Sequence, residues 1–117
     1  MDKLDAIFQM QKELNDRIIE KRGLQSLSDE EWIQKQVLAV VAELAELLDE
    51  VNYRWWKNKK PVNPDAVCEE LADILHFFIS MCLRAGMGAQ DLFDRYVQKN
   101  RENHRRQDGQ SEKEGYA

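Results

Sequence analysis

Residues 63–88, NPDAVCEELADILHFFISMCLRAGMG, indicate the fold class most clearly. Asn63 before Pro64 is typical of a helix start, in which a capping residue precedes a proline at the first helical position. Gly86 is typical of a helix end. Between these ends, apolar residues recur at helical spacing, namely Val67, Leu71, Ile74, Leu75, Phe78 and Cys82. The stretch therefore predicts one amphipathic helix over about residues 65–85.

This helix carries an acidic pair, Glu70 and Asp73, and the helix before it carries a second pair, Glu43 and Glu46. Residues three apart share a helix face, and each pair lies beside the apolar arc of its helix. The arc of the earlier helix is Ile33, Val37, Val40, Leu44, Leu48 and Val51. If these arcs pack together, four carboxylates meet at one half-buried place. Such a cluster is costly without a counter-ion, so it predicts a Mg²⁺ site and phosphoryl-transfer chemistry.

Two considerations weigh against this interpretation. Each acidic pair alone is common on a solvated helix face. In addition, if both helices continued to the loop Asn58–Pro64, the two pairs would be offset along the helix axes by about six residues, or roughly 9 Å. The earlier helix must therefore end or bend before Trp55, or the two helices must meet in another arrangement.

Signals for three other helices surround this region. The first helix spans about residues 2–21 and ends at Gly23. The second begins after Ser28, with Glu31 placed for a capping box, and continues into the fifties. The fourth covers about residues 89–105. With only five glycines and two prolines in the chain, we predict an all-α fold, an antiparallel helical bundle of about four helices.

Length and charge limit the possible functions. The chain has 117 residues, which fits one domain, predicted over residues 1–108 and followed by a mobile polar tail over residues 109–117. The net charge of −5 argues against a nucleic-acid polymer as partner. The longest apolar stretch, Ile74–Leu83, is too short to cross a membrane, and residues 1–11 do not resemble a signal peptide.

The two cysteines favour a reducing compartment. Cys68 and Cys82 lie fourteen residues apart in one predicted helix, which separates them by roughly 21 Å, too far for a disulfide. We therefore expect both to be reduced thiols packed in the core. This arrangement is typical of a cytoplasmic protein.

Together these motifs resemble the all-α nucleotide pyrophosphatases, the MazG-like superfamily, which is marked by ExxE and ExxD on paired helices. Within that group the chain is most similar to the dimeric dUTPases. Five stretches carry the resemblance: Gln11-Lys-Glu-Leu-Asn15, Trp32, Glu43-Leu-Ala-Glu46 with Tyr53-Arg-Trp-Trp-Lys57, Glu70-Leu-Ala-Asp73-Ile-Leu-His76-Phe77, and Lys99-Asn-Arg-Glu-Asn103-His-Arg-Arg106-Gln107.

The resemblance implies a homodimer that completes the bundle and hydrolyses dUTP to dUMP and pyrophosphate. It implies two or three Mg²⁺ ions, which Mn²⁺ could replace, with four carboxylate ligands: Glu43, Glu46, Glu70 and Asp73. It also implies that Glu43 and Glu46 are catalytic, and we predict that Glu46 orients the attacking water.

The resemblance also assigns the substrate contacts. Gln11 and Asn15 would face the uracil, while Trp56, followed by Lys57, would close over the nucleotide. His76 would lie near the deoxyribose. Four residues would hold the phosphates, namely Lys99, Asn103, Arg106 and Lys113. From the residues alone, the two carboxamides would more often be solvated, and His76 would more often belong to the core.

Three other functions stay open. The first is a MazG-like pyrophosphatase for another nucleotide such as dCTP, or one with broad house-cleaning activity. The second is a di-iron carboxylate bundle, although that design uses two ExxH motifs and this chain has only the DxxH of Asp73 and His76. The third is a non-catalytic helical bundle, which predicts no metal affinity.

Overall fold

Four α-helices make up the described part of the chain, and the predicted all-α class is confirmed. The computed structural model describes residues 2–110 and contains no strand among them. The helices are α1 (Lys3–Arg22), α2 (Asp29–Glu50), α3 (Pro64–Arg84) and α4 (Ala89–Gln107). Over the same residues, none of the helices combines the length and the hydropathy that crossing a membrane would require.

The helix ends follow the predicted capping residues. Ser28 accepts a hydrogen bond from the backbone N–H of Glu31, while the Glu31 carboxylate accepts one from the backbone N–H of Ser28, so the capping box is confirmed. The side chain of Asn63 caps α3, which has proline at its first position. Gly23 ends α1 with a φ of 64°, a left-handed conformation that glycine adopts at little cost.

The position at which α2 ends decides whether its acidic pair can lie opposite the acidic pair of α3. The helix ends at Glu50, and the backbone reverses at Asn52, whose φ is 57°. The Asn52 side chain then joins both sides of the loop, because it hydrogen-bonds to the backbone N–H and to the carbonyl of Lys60, each at 2.9 Å. Of the two alternatives that the spacing left open, the structure shows the first, because α2 ends before Trp55.

The helices α2 and α3 pack antiparallel, and α1 packs against α3 and α4. The core lies at the carboxyl end of α3, where Phe8, Ile79 and Cys82 are almost fully buried. Further apolar residues pack around these three, namely Leu4, Ile7, Leu83, Met87, Ala89 and Leu92. This core joins the first half of α1 to the turn between α3 and α4.

Much of the predicted core is exposed in the single chain. Leu44 and Leu75, both predicted to lie in buried arcs, keep 44% and 42% of their surface exposed. Other apolar residues at helical spacing on α1, α2 and α3 are exposed in the same way. We call the whole set the apolar surface, and it consists of Met10, Leu14, Ile18, Val37, Leu38, Val41, Leu44, Leu48, Leu71, Leu75 and Phe78. The predicted apolar arcs are therefore only partly covered within one chain.

The two cysteines have different surroundings. Cys82 is buried in the core, and burial raises the pKa of its thiol. Cys68 is exposed near the start of α3, away from the core at the other end of that helix. Both are free, but the prediction that both are packed in the core is wrong for Cys68.

Candidate active site

Three of the four predicted carboxylates meet where α2 packs on α3. Glu43 lies near the carboxyl end of α2 and Glu70 lies near the start of α3, at similar distances from the connecting loop. One carboxylate oxygen from each of Glu43, Glu46 and Glu70 lies within 4.8 Å of the other two. We call these three residues the carboxylate cluster. Asp73 is exposed one turn further along α3 and lies outside the cluster.

The electrostatics of the cluster fit a cation. Glu43 and Glu70 are half-buried, and the Oε2 atom of each is shielded from solvent with no hydrogen-bond donor among the described residues. A protonated Glu70 can donate to the Glu43 carboxylate, and this hydrogen bond, burial, and the nearby charges of Glu46 and Glu43 raise the pKa of Glu70 to about 7. Shielded, unpaired carboxylate oxygens are the donors that a hard divalent cation takes, so the residues present fit Mg²⁺.

The raised pKa of Glu70 predicts how the stability of the metal-free protein depends on pH. The folded chain holds a proton on Glu70 up to about pH 7, whereas the unfolded chain loses it near the ordinary value of 4.5. Folding therefore takes up a proton between these values, and this contribution to stability is present at low pH and lost as the pH rises to 7. In the presence of a chelator, the contribution of Glu70 should raise the Tm as the pH falls from 8 to 6.

The matched control is Glu70→Gln, which cannot titrate. The difference in Tm between the wild type and this variant should change with pH over the same interval, with the variant more stable at pH 8. Because other carboxyl groups also change the Tm with pH, only the difference between the two proteins reports on Glu70. Parallel pH profiles for the two proteins would contradict the coupling of Glu70 to its neighbours.

The two carboxamides of α1 are buried, with Gln11 6% and Asn15 7% exposed. Gln11 Nε2 donates to Asn15 Oδ1 at 2.8 Å, and Asn15 Nδ2 donates to Ser80 Oγ at 3.1 Å. The expectation from the residues alone, that these carboxamides would be solvated, is therefore wrong. They lie in line with Phe8 on α1, at spacings of three and four residues, and so face α3.

A small cavity lies between α1 and α3, and two of the predicted substrate residues line it. Gln11 and His76 border a space of about 140 Å³ whose other walls are mainly apolar, formed by Ile7, Met10, Ala72 and Leu75. His76 Nδ1 lies 2.8 Å from the backbone carbonyl of Ala72. A carbonyl only accepts, so Nδ1 carries the proton, and Nε2 is the acceptor in the neutral ring. His76 is exposed and is not the core histidine that the residues alone favoured.

The loop after α2 holds the other predicted nucleotide contacts. Trp56 is 59% exposed and lies edge-on to Trp55, with ring centroids 4.6 Å apart. Lys57 is exposed and lines a shallow surface depression together with Arg54. The structure thus leaves the aromatic rings on the surface, beside cationic side chains.

The predicted phosphate-binding residues lie on α4. Lys99 and Asn103 are exposed, and Arg106 lies 3.5 Å from a carboxylate oxygen of Glu102. The helix α4 packs chiefly on α1, whereas the carboxylate cluster lies on α2 and α3. Lys113 lies outside the described residues.

Sequence reasoning missed the parts that Trp32 and Ser80 play. Trp32 Nε1 donates to Ser80 Oγ at 2.8 Å, and the two residues are 3% and 1% exposed. Arg84 stacks over the indole, with its guanidinium carbon 4.6 Å from the ring centroid. The available signal was weak: Ser80 interrupts the apolar run of α3, and a polar residue at such a position needs a partner when buried.

The fold and the site define an all-helical protein whose antiparallel helices α2 and α3 carry clustered carboxylates, with a small polar-edged cavity between α3 and α1. The chain belongs to the all-α dUTPase family, since the model of the family described as dUTPase matches residues 3–91. It is therefore a nucleotide pyrophosphohydrolase with an activity of the dUTP diphosphatase type. No curated protein and no solved structure matches the chain.

Proposed function

We propose that the protein hydrolyses dUTP to dUMP and pyrophosphate with Mg²⁺ bound by Glu43, Glu46, Glu70 and Asp73. The observation that carries this proposal is the carboxylate cluster, in which two shielded oxygens have no donor among residues 2–110. Asp73, on the next turn of α3, would complete the ligands of a second or third ion. When bound, the ions neutralise the phosphate oxygens and activate water for attack.

The residues of the chain then have distinct roles. Glu46 is the exposed member of the cluster, so its carboxylate can orient the attacking water and accept its proton. Glu43 and Glu70 are more buried and hold the metal. The cavity beside Gln11 and His76 receives the base and the sugar, while Trp56 and Lys57 close over the nucleotide from the loop.

A panel of nucleoside triphosphates tests this function. With Mg²⁺, dUTP should give dUMP and pyrophosphate, and a chelator should abolish the reaction, with Mn²⁺ restoring part of it. Detection of dUDP and inorganic phosphate as products would contradict pyrophosphatase chemistry. Equal kcat/KM for dUTP and dCTP would instead indicate the alternative, a pyrophosphatase with broad nucleotide specificity.

We further propose that the active protein is a homodimer. The apolar surface is spread over three helices and includes residues as open as Leu38, 69% exposed, and Val41, 56% exposed. Apolar patches of this kind mark protein–protein interfaces, and a two-fold dimer is the commonest oligomer.

The two free cysteines also support a reducing, cytoplasmic location.

Arg106 on α4 offers a test of phosphate binding. Its guanidinium can make two parallel hydrogen bonds to a phosphate, which a lysine cannot reproduce. Arg106→Lys should therefore lower kcat/KM about tenfold, equivalent to about 1.4 kcal/mol, while the Tm changes little. Arg101→Lys, an exposed substitution of the same type on the same helix, is the matched control. Equal losses in the two variants would argue against a phosphate role for Arg106.

A further inference from the structure

The side chain of Asn52 closes the loop between α2 and α3 at its base. Its Oδ1 atom accepts a hydrogen bond from the backbone N–H of Lys60, and its Nδ2 atom donates one to the carbonyl of the same residue, each at 2.9 Å. A carboxamide offers both an acceptor and a donor, and here both are used on one backbone residue. We call these two hydrogen bonds the Asn52 clamp, and we call residues 53–59, which lie between its ends, the aromatic loop.

This position needs an asparagine for two reasons. The backbone of Asn52 is left-handed, with a φ of 57°, a conformation that glycine and asparagine adopt more readily than most residues. Glycine, however, has no side chain that could reach Lys60. An ionised aspartate has acceptors only, so its second oxygen would face the carbonyl of Lys60 without a donor between them. Asparagine therefore satisfies the backbone conformation and both hydrogen bonds together.

The rings of the aromatic loop are not held by the core. Trp56 lies edge-on to both Tyr53 and Trp55, with ring centroids 6.5 Å and 4.6 Å apart, yet Trp55 is 86% and Trp56 59% exposed. Arg54 stacks on Tyr53 and pairs with Asp49 of α2. Both side chains of this ion pair are more than a third exposed, and such pairs contribute little to stability. The clamp, which joins the two ends of the loop, is therefore its main constraint.

The aromatic loop lies at the same end of the α2–α3 pair as the carboxylate cluster. Glu46 is about one turn before the end of α2, and Glu70 is less than about two turns after the start of α3. Asn52 and Lys57 also border the same surface depression. The clamp therefore lies next to a side chain that the proposed function assigns to the nucleotide.

We propose that Asn52 is a positioning residue, which holds the aromatic loop in the form that closes over the nucleotide. This inference rests on the proposed function, which assigns Trp56 and Lys57 to that closure. Asn52 contacts neither the nucleotide nor the metal and acts through the loop. Ordering a flexible loop costs conformational entropy, so a loop that is ordered before binding gives a higher affinity for the substrate.

The test is Asn52→Gly, which suits the left-handed backbone but removes the clamp. The loop must then become ordered as the substrate binds. Loss of two ordinary hydrogen bonds should raise the KM for dUTP about tenfold, while kcat stays near the wild-type value, the pattern expected when only binding is weakened. The Tm should change little, because glycine adopts this backbone conformation at little cost.

Asn58→Gly is the matched control, since it places glycine at an exposed position of the same loop and leaves the clamp in place. Its KM should stay close to that of the wild type. Because KM does not depend on the amount of folded enzyme, partial misfolding of either variant does not alter the comparison. A wild-type KM in Asn52→Gly, or an equal rise in both variants, would overturn the role of the clamp.

Acrylamide quenching of tryptophan fluorescence separates this inference from the proposed function. Trp32 is 3% exposed, so quenching reports on Trp55 and Trp56. The probe is a dUTP analogue with an imido bridge between its α- and β-phosphates, added with Mg²⁺. It should protect the wild type, and Asn52→Gly should need about tenfold more of it for equal protection.

The outcomes of this measurement are distinct. If the analogue does not protect the wild type, the closure assigned by the proposed function fails, and this inference fails with it. If it protects both proteins at the same concentration, the closure stands and Asn52 has no positioning role. A shift to higher concentration in Asn52→Gly, with Asn58→Gly like the wild type, supports the inference.

Discussion

Replacing Glu46 with glutamine should lower kcat for dUTP by about a hundredfold or more while leaving the fold intact. The substitution keeps the size of the side chain but removes the carboxylate that would orient water and bind metal, and loss of a general base alone costs about 10²–10⁴ in rate. Because three carboxylate oxygens lie within 4.8 Å of one another, removal of one charge relieves repulsion. The Tm of the metal-free variant should therefore equal or exceed that of the wild type.

The combination of lost activity and retained stability distinguishes a site residue from a structural one. Glu69→Gln is the matched control, since Glu69 is an exposed acid next to Glu70 but outside the carboxylate cluster. It should keep near wild-type turnover. Calorimetry should show weaker Mg²⁺ binding for Glu46→Gln than for Glu69→Gln. Near wild-type turnover in Glu46→Gln would show that the site is misassigned.

The sequence predicted the helices well because their ends carry local chemical signals. Ser28 with Glu31, Asn63 with Pro64, and Gly23 each satisfy backbone groups within a few residues, so no knowledge of the rest of the fold was needed. The end of α2 was harder to place. Tyr53 and the tryptophans that follow continue an apolar pattern, and only the reversal at Asn52, joined to Lys60 across the loop, excludes them from the helix.

The meeting of Glu43, Glu46 and Glu70 could be predicted because consecutive helices of a bundle are usually antiparallel neighbours. Spacing along each helix indicated which side faces the partner, but it also included Asp73, which lies outside the cluster. The hydrogen bond between Asn15 and Ser80 could not be predicted in this way. The two residues are 65 positions apart, and their contact depends on how α1 crosses α3, which no local pattern specifies.

Burial was the least predictable property, because it depends on what covers a helix as well as on its sequence. Leu44, Leu71 and Phe78 occupy regular apolar positions, yet each is more than 40% exposed in the single chain. Their spacing indicates an apolar surface that packs against another helix. It does not distinguish a covering helix of the same chain from one of a second copy.

The largest expected effect on assembly comes from Val41→Asp, at the centre of the apolar surface on α2. In the proposed homodimer this change would bury an unpaired carboxylate in each copy, at an effective cost of several kcal/mol per charge. The dissociation constant should therefore rise by about a thousandfold or more, and light scattering after size exclusion should show a monomer. Val62→Asp is the matched control, since Val62 is 49% exposed and lies in the loop between α2 and α3, outside the set of residues that forms the apolar surface.

The two variants carry the same substitution, so they differ only in where the charge is placed. If Val62→Asp stays dimeric and Val41→Asp is a folded monomer by circular dichroism, the second copy covers the apolar surface. Activity should fall with the dimer, as expected if the α4 helix of the second copy supplies Lys99 and Arg106 to the carboxylate cluster. A Val41→Asp protein that remains a dimer of full activity would place the interface on another surface, and a monomeric wild type would exclude the homodimer altogether.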